Sequence, residues 1–158
     1  MITLEGFRPK HAKEISRLIR EVYDEFVAPD YPPEGNEHFY SFITPEALVE
    51  RFTQKGHFLV TAVEKGSIVG VIAVRNENHI ALLFVDREFQ GHGISRRLLT
   101  EARRIISAET GKREITVFSS PWAVPVYRSL GFLDEGPVQS RDGITFQPMK
   151  LVPDEPCL

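Results

Sequence analysis

The sequence has almost no cysteine, and this scarcity limits its redox chemistry. Cys157 is the one cysteine among 158 residues. A lone cysteine cannot form an internal disulfide, which is typical of proteins from a reducing compartment. We therefore expect a cytoplasmic protein in which the Cys157 thiol is inert. We expect neither a domain stabilised by disulfides nor a cysteine nucleophile.

Long apolar runs and an excess of positive charge are also missing. No stretch approaches the ~20 apolar residues of a membrane span, and residues 1–5 do not form a basic start followed by a long apolar run. The formal net charge is −3, so no global positive field attracts nucleic acid or anionic lipid. We expect a soluble protein whose anionic ligands need a local site of backbone N–H groups and basic side chains.

The overall composition is that of an ordinary globular protein. Hydrophobic residues make up 42% and charged residues 26% of the chain, which disfavours disorder, collagen and coiled coil. No internal repeat, low-complexity run or long polar linker divides the sequence. We therefore expect one domain over residues 1–158, a length that supports one sizeable core.

Hydrophobic periodicity and turn residues predict a mixed α/β (α+β) fold. An antiparallel meander comes early and a β–α–β unit comes late. Residues 28–35 hold three prolines and a glycine, which predicts a loop. The predicted strands are residues 2–7, 57–63, 68–74, 79–85, 114–118, 133–139 and 144–152. Four helices are predicted. The first follows Pro9, the second extends from Thr44 to about Gln54, the third begins near Ile94, and the fourth is short and ends at Gly131.

The most informative stretch is a glycine-rich turn between a buried strand and an amphipathic helix. Its residues are Gln90, Gly91, His92, Gly93, Ile94 and Ser95. Two glycines one residue apart allow a tight turn that presents N–H groups, and the helix start adds the positive end of its dipole. Such a turn fits a pyrophosphate. One alternative is a dinucleotide-binding fingerprint, but it needs a third glycine, and Ser95 stands at that position. The other alternative is a glycine-rich turn that binds no ligand.

A second cluster follows the next strand. Pro125 fits the first turn of a short helix because it lacks an N–H, and Gly131 closes that helix. Tyr127 and Leu130 share one helix face, which points back toward the strand before the glycine-rich turn. Tyr127 can thus place a phenol between two neighbouring strands, although core packing is the alternative for such a residue.

Together the two motifs resemble the GNAT superfamily of N-acetyltransferases. In that family the pattern Gln/Arg-x-x-Gly-x-Gly/Ala binds the coenzyme A pyrophosphate, and residues 90–95 match it with Ser95 in place of Gly/Ala. Family members also have a Tyr followed three residues later by a hydrophobic residue and then Gly-Phe. Tyr127, Leu130, Gly131 and Phe132 match this pattern. The order of strands and helices is also similar over the whole chain. Phe118 and Trp122 depart from the family, where a polar residue and a Tyr are frequent.

The resemblance implies a GNAT-like fold, with a central mixed seven-stranded sheet and helices on both faces. Two splayed parallel strands would hold acetyl-CoA, the co-substrate, and no metal is implied. The implied catalytic acid is Tyr127, which would protonate the leaving thiolate. The implied cofactor-binding residues are Leu83, Phe84 and Val85 on the strand, residues 90–95 in the turn, Arg96 on the helix, and Ser119 and Ser120 opposite.

The residue that removes the amine proton is less defined. His79 lies eleven positions before Gln90, where histone-acetylating relatives have a catalytic Glu, and an imidazole with a pKa near 6.5 suits this task. Glu77 and a water chain are alternatives, and His79 is also explained as a solvated strand end. We expect His79 to be the base.

The acceptor is expected against the first helices. Tyr31, Glu34 and Phe39 are the expected contacts, within an acidic and aromatic cluster that also includes Asp30, Glu37 and Tyr40. Such a mixture suits a cationic amine, and a packed loop with solvated carboxylates is the alternative.

The resulting expectation is an enzyme that transfers acetyl from acetyl-CoA to a primary amine of a small molecule or peptide, by direct attack in a ternary complex. Neither nucleic acid nor membrane is an expected partner, and a homodimer stays open. A non-catalytic coenzyme A-binding regulatory module is the main rival, but it would not need Tyr127. A nucleic-acid-binding domain is disfavoured by the net charge.

Overall fold

The computed structural model describes residues 1–152, so Cys157 lies outside the described residues. The helices are α1 (Ala12–Phe26), α2 (Pro33–Phe42), α3 (Pro45–Phe52), α4 (Ile94–Thr110) and α5 (Val124–Ser129). The strands are β1 (Ile2–Gly6), β2 (Phe58–Glu64), β3 (Ser67–Arg75), β4 (His79–Val85), β5 (Ile115–Ser119), β6 (Leu133–Asp134), β7 (Gln139–Arg141) and β8 (Ile144–Leu151).

The strands form a mixed sheet in the order β1-β2-β3-β4-β5-β8-β6, with β7 paired to β8. Strands β4 and β5 are parallel, and the other pairs are antiparallel. The parallel pair arises because α4 crosses over between the two strands, as a parallel connection requires. This arrangement confirms the predicted mixed α/β fold.

The parallel pair separates soon after it begins. Pairing between β4 and β5 joins His79 to Thr116 and Ile80 to Val117, and no further pair follows in residues 1–152. Strand β4 nevertheless continues beside β3 as far as Val85, with Ala81 as an extra residue in a bulge. The later part of β4 therefore presents unpaired peptide groups on its β5 side, in the middle of the sheet.

Helices cover both faces of the sheet, as the resemblance implies. On one face Leu98 and Ile106 of α4 pack with Ile72 of β3 in a core cluster that also contains Tyr127. On the other face Ile15 of α1 packs in a cluster with residues of α3, β3 and β4. Burial of these apolar side chains is the main term that holds the layers together. No helix within residues 1–152 has the length and apolar character needed to cross a membrane.

Two predicted segments differ from the structure. The predicted loop at residues 28–35 contains a short 3-10 turn, and α2 already begins at Pro33. Proline is tolerated in the first turn of a helix, where its missing N–H has no intrahelical partner. The predicted strand at residues 133–139 is split into β6 and β7, which gives eight strands instead of seven. Gly136 with φ +102° and Pro137 lie at the break.

Candidate functional site

A cavity of about 450 Å³ opens where β4 and β5 separate. We call it the glycine-turn cavity, because the turn after β4 forms one of its walls. Its lining comes from α1, the end of β4, the turn, the start of α4, and α5. The lining residues are Val22, Leu83, Phe84, Val85, Phe89, Gln90, Gly91, Gly93, Ile94, Ser95, Arg96, Trp122, Ala123, Val126, Tyr127, Ser129 and Leu130.

The glycines of the turn adopt left-handed backbone conformations, with φ of 80° at Gly91 and 79° at Gly93. Residues with a Cβ rarely adopt this conformation. Nothing lies within 4 Å of the place where a Cβ would stand on either glycine. The backbone of the turn therefore faces open space. Gln90 fixes the turn to the sheet, since its Nε2 donates to the Val85 carbonyl at 3.0 Å.

The start of α4 makes the same wall receptive to anions. Gly93 is the N-cap residue, has no side chain to satisfy the helix N–H groups, and is followed by no acidic residue in the first turn. The first N–H groups of a helix lack intrahelical partners and carry the positive end of the dipole. The Arg96 guanidinium lies in the same wall and donates to the Ser129 carbonyl at 3.0 Å, which ties α4 to α5.

Tyr127 is a buried residue in the lining of this cavity. Its residue is 6% exposed, and its ring packs edge-on against Phe132 with centroids 5.3 Å apart. The Phe132 N–H donates to the Tyr127 carbonyl at 3.0 Å, which closes the short helix. The Tyr127 hydroxyl has no hydrogen-bond partner within the described chain. Burial raises the pKa of Tyr127, so the phenol is protonated at neutral pH.

A second cavity, of about 380 Å³, lies under α2 and is called the α2 cavity. It shares Leu83, Phe84, Trp122, Ala123 and Tyr127 with the glycine-turn cavity, so the two meet in the gap between β4 and β5. The other lining residues are Tyr23, Val27, Tyr31, His38, Phe39, Arg75, Ala81, Val117, Phe118, Ser119, Ser120, Arg141, Asp142, Ile144 and Phe146.

Aromatic residues of α1, α2 and the segment between them line one side of the α2 cavity. Phe39 stacks on Tyr23 with ring centroids 3.9 Å apart. The Tyr31 hydroxyl donates to the Thr145 carbonyl at 2.7 Å, which ties the segment before α2 to β8. Tyr31 and Phe39 are thus brought into the cavity, as expected. Glu34 is exposed and lies against the turn at Gly143, outside the lining.

The charged groups of the α2 cavity differ from those expected. Asp30 and Glu37 are exposed and, like Glu34, do not line the cavity. Its arginines are instead Arg75 at the end of β3 and Arg141 at the end of β7. Sequence reasoning missed both. For Arg75 the signal was the two-residue period of β3, which places Arg75 on the same face as the buried Val71 and Ala73.

His79 lies behind the wall and lines neither cavity. It is 8% exposed, its Nδ1 is 2.7 Å from Thr116 Oγ1, and the Phe118 ring packs edge-on against it at 4.5 Å. Its buried Nε2 has no partner in residues 1–152. Burial, together with the charge of Arg75, lowers the pKa of His79 to about 4. Glu77 also lines neither cavity and pairs with Lys112 at 3.6 Å.

Of the remaining predicted residues, the two serines line a cavity and His92 does not. Ser119 and Ser120 line the α2 cavity, where Ser119 Oγ donates to the Ser120 carbonyl at 2.8 Å and Ser120 Oγ accepts the Ala123 N–H at 3.3 Å. His92 has an exposed side chain outside both linings. Trp122 is at the junction and stacks on Phe26 at 4.8 Å.

Several solved structures share this fold. PaiA N-acetyltransferase from Thermoplasma acidophilum, in complex with coenzyme A, has a TM-score of 0.79 at 18% identity, covering 96% of this chain and 99% of that one. Apo YjaB from Escherichia coli has a TM-score of 0.75 at 19% identity, covering 96% and 98%. Aminoglycoside 6'-N-acetyltransferase complexed with coenzyme A has a TM-score of 0.69 at 15% identity, covering 98% and 99%.

Sequence comparison gives the family. No curated protein is significantly similar to the chain in sequence. The sequence profile described as "Acetyltransferase (GNAT) domain" matches residues 27–153, which is more than half of the chain. This match shows that the chain belongs to the GNAT family of acetyltransferases.

Proposed function

We propose that the protein transfers an acetyl group from acetyl-CoA to a primary amine of a small molecule or peptide, by direct attack in a ternary complex. The observation that carries this proposal is the meeting of two cavities at Leu83, Phe84 and Tyr127. The glycine turn and the start of α4 form one wall of the first cavity, and the second cavity is rich in aromatic side chains. Two substrates can occupy them together, with their reacting ends in the gap between β4 and β5.

Acetyl-CoA fits the glycine-turn cavity. Backbone N–H groups of residues 91–95 and the Arg96 guanidinium are suited to the pyrophosphate. The unpaired edge at Leu83, Phe84 and Val85 is suited to the amide groups of the pantetheine arm, and Ser119 and Ser120 line the adjoining α2 cavity. When bound, acetyl-CoA supplies an activated acetyl thioester. Two of the solved relatives were obtained with coenzyme A, which supports this assignment.

Tyr127 is the proposed proton donor for the leaving thiolate. Its phenol has a reference pKa of about 10, which burial raises further, so it is protonated at neutral pH. Its hydroxyl is not occupied by another group of residues 1–152. A thiolate that gains a proton as it leaves departs more easily. Tyr127 belongs to the linings of both cavities, which supports its assignment as the proton donor between the two substrates.

The proposed route for the amine proton runs through water in the α2 cavity. His79 is covered by Phe118 and has a lowered pKa, so it is a weak base without a path to the amine. Glu77 is held by Lys112 outside the cavities. The lining of the α2 cavity in contrast includes the exposed Arg141, so water has access to it.

The test is release of the free thiol of coenzyme A from acetyl-CoA, measured with and without amines. The proposal predicts release that depends on the amine. Acetyl-CoA binding without release for any amine class would instead favour a non-catalytic coenzyme A-binding module.

A further inference from the structure

The lining of the α2 cavity contains two arginines and one carboxylate, so it has a net positive charge. Arg75 and Arg141 both belong to its lining. Within residues 1–152, neither guanidinium forms a hydrogen bond or an ion pair. Asp142 is the one carboxylate of the lining, and it forms no ion pair with them. The exposed arginines Arg87, Arg104 and Arg128, in contrast, are paired with Glu or Asp.

Arg75 is unusual because it is partly buried. It is the one arginine of the described chain that is not largely exposed, and its Nε is fully buried without a partner. Burial, and repulsion from Arg51 and Arg141, lower the pKa of Arg75. A buried charge without a counter-charge is costly. An anion that enters the cavity would remove this cost.

The fold aims Arg75 into the cavity through the register of the sheet. Arg75 ends β3 opposite His79, on the face that also carries Val71 and Ala73. The neighbouring walls are aromatic, with Phe39, Phe118 and Phe146. Such apolar walls lower the local dielectric constant and strengthen an ion pair formed inside them.

From this we infer that the acetyl acceptor is an amino carboxylate: its carboxylate binds Arg75, assisted by Arg141, while its amine reaches the junction at Tyr127. This inference rests on the proposed function. A guanidinium binds a carboxylate through two parallel hydrogen bonds. The same two charges repel a second amine, so polyamines are poor acceptors. Amino acids and ω-amino acids belong to the expected class, and the distance between their two groups selects among them.

The experiment compares each amino acid or ω-amino acid with its own carboxamide, using thiol release from acetyl-CoA. We expect the carboxylate to have a kcat/KM about ten- to a hundredfold higher than the carboxamide, the range of a charge-assisted hydrogen bond. Arg75→Met removes this preference through the KM of the carboxylate, and Arg75→Lys retains part of it. Arg17→Gln, at an exposed arginine outside both cavities, leaves it unchanged.

Two further readouts separate the possible failures. Without substrate, the melting temperature of Arg75→Met is expected to equal or exceed that of the wild type, because an unpaired buried charge is lost; a structural role for Arg75 would lower it and overturn the inference. If carboxamides or diamines are acetylated as well as or better than the carboxylates while acetyl-CoA still binds, the inference is overturned and the proposed function stands. A wild-type protein that binds no acetyl-CoA overturns the proposed function and the inference with it.

Discussion

Tyr127 is the residue in which chemistry and packing can be separated most cleanly. Its ring is part of the core cluster, whereas its hydroxyl has no partner in residues 1–152. The ring is therefore needed for stability, and the oxygen is free for proton transfer. Removing the oxygen alone tests the second role without disturbing the first.

Tyr127→Phe is expected to keep the melting temperature and the affinity for acetyl-CoA. Turnover is expected to fall by roughly 10²-fold or more, the usual contribution of a general acid. Tyr40→Phe is the control, because the Tyr40 hydroxyl bonds Asp24 and Tyr40 lines neither cavity. Initial rates and thermal melts check both variants. Normal turnover in folded Tyr127→Phe would remove the assignment.

His79 is expected to govern stability in acid and not the rate near neutrality. Its pKa is about 4 in the folded protein and about 6.5 when unfolded. Between these values the unfolded chain binds more protons, so the free energy of unfolding decreases as the pH falls from about 6.5 to about 4. The loss is at most about 3 kcal/mol.

His79→Gln removes this part of the pH dependence, so its melting temperature should fall less than that of the wild type over the same range. The exposed His92 provides the control, His92→Gln, which should behave as the wild type does. The pH profile of kcat/KM above pH 6.5 should be the same for all three proteins. An acidic limb near neutrality that disappears in His79→Gln would restore His79 as the base.

At the scale of elements, α4 offers a matched pair of positions at its two ends. Gly93 precedes the helix and Gly111 follows it, with φ of 79° and 73°. Neither has an atom within 4 Å of a Cβ site. A Cβ in the left-handed conformation costs about 1–2 kcal/mol at either position. The two glycines differ in that Gly93 lines the glycine-turn cavity.

Gly93→Ala and Gly111→Ala should therefore lose similar stability in the absence of acetyl-CoA. At a hundredfold excess over its dissociation constant, acetyl-CoA should stabilise the wild type and Gly111→Ala by about 2.7 kcal/mol, and Gly93→Ala much less. Thermal melts with and without acetyl-CoA give both quantities. The same stabilisation in both variants would show that the turn does not bind the pyrophosphate.

The elements that sequence predicted well carry local signals. Gly91 and Gly93 before an amphipathic helix, and Pro125 and Gly131 around Tyr127, act through backbone conformation and need no distant partner. Helix α2 was not predicted, because Pro33 is compatible with both a loop and a helix start and distant packing decides between them. Arg75 was missed because its meaning depends on Arg141 and on aromatic walls that are distant in sequence. Whether His79 can reach the amine depends on the position of Phe118, which no local pattern contains.

At the scale of the whole molecule, one opening in the sheet explains both cavities. Strands β4 and β5 pair at two positions and then separate, while cores on both faces hold the two halves of the sheet. The gap connects the glycine-turn cavity with the α2 cavity at Leu83 and Tyr127. We propose that an acetyl group passes directly from one occupant to the other across this gap.

The most direct test varies acetyl-CoA and an amine acceptor together, follows thiol release, and measures the mass of the protein and of the acceptor. Direct transfer predicts intersecting double-reciprocal lines, an acceptor heavier by one acetyl group, and a protein of unchanged mass after incubation with acetyl-CoA alone. Parallel lines with an acetylated protein intermediate would show a ping-pong route and contradict direct transfer. Absence of amine-dependent thiol release in a protein that binds acetyl-CoA would contradict the proposed activity itself.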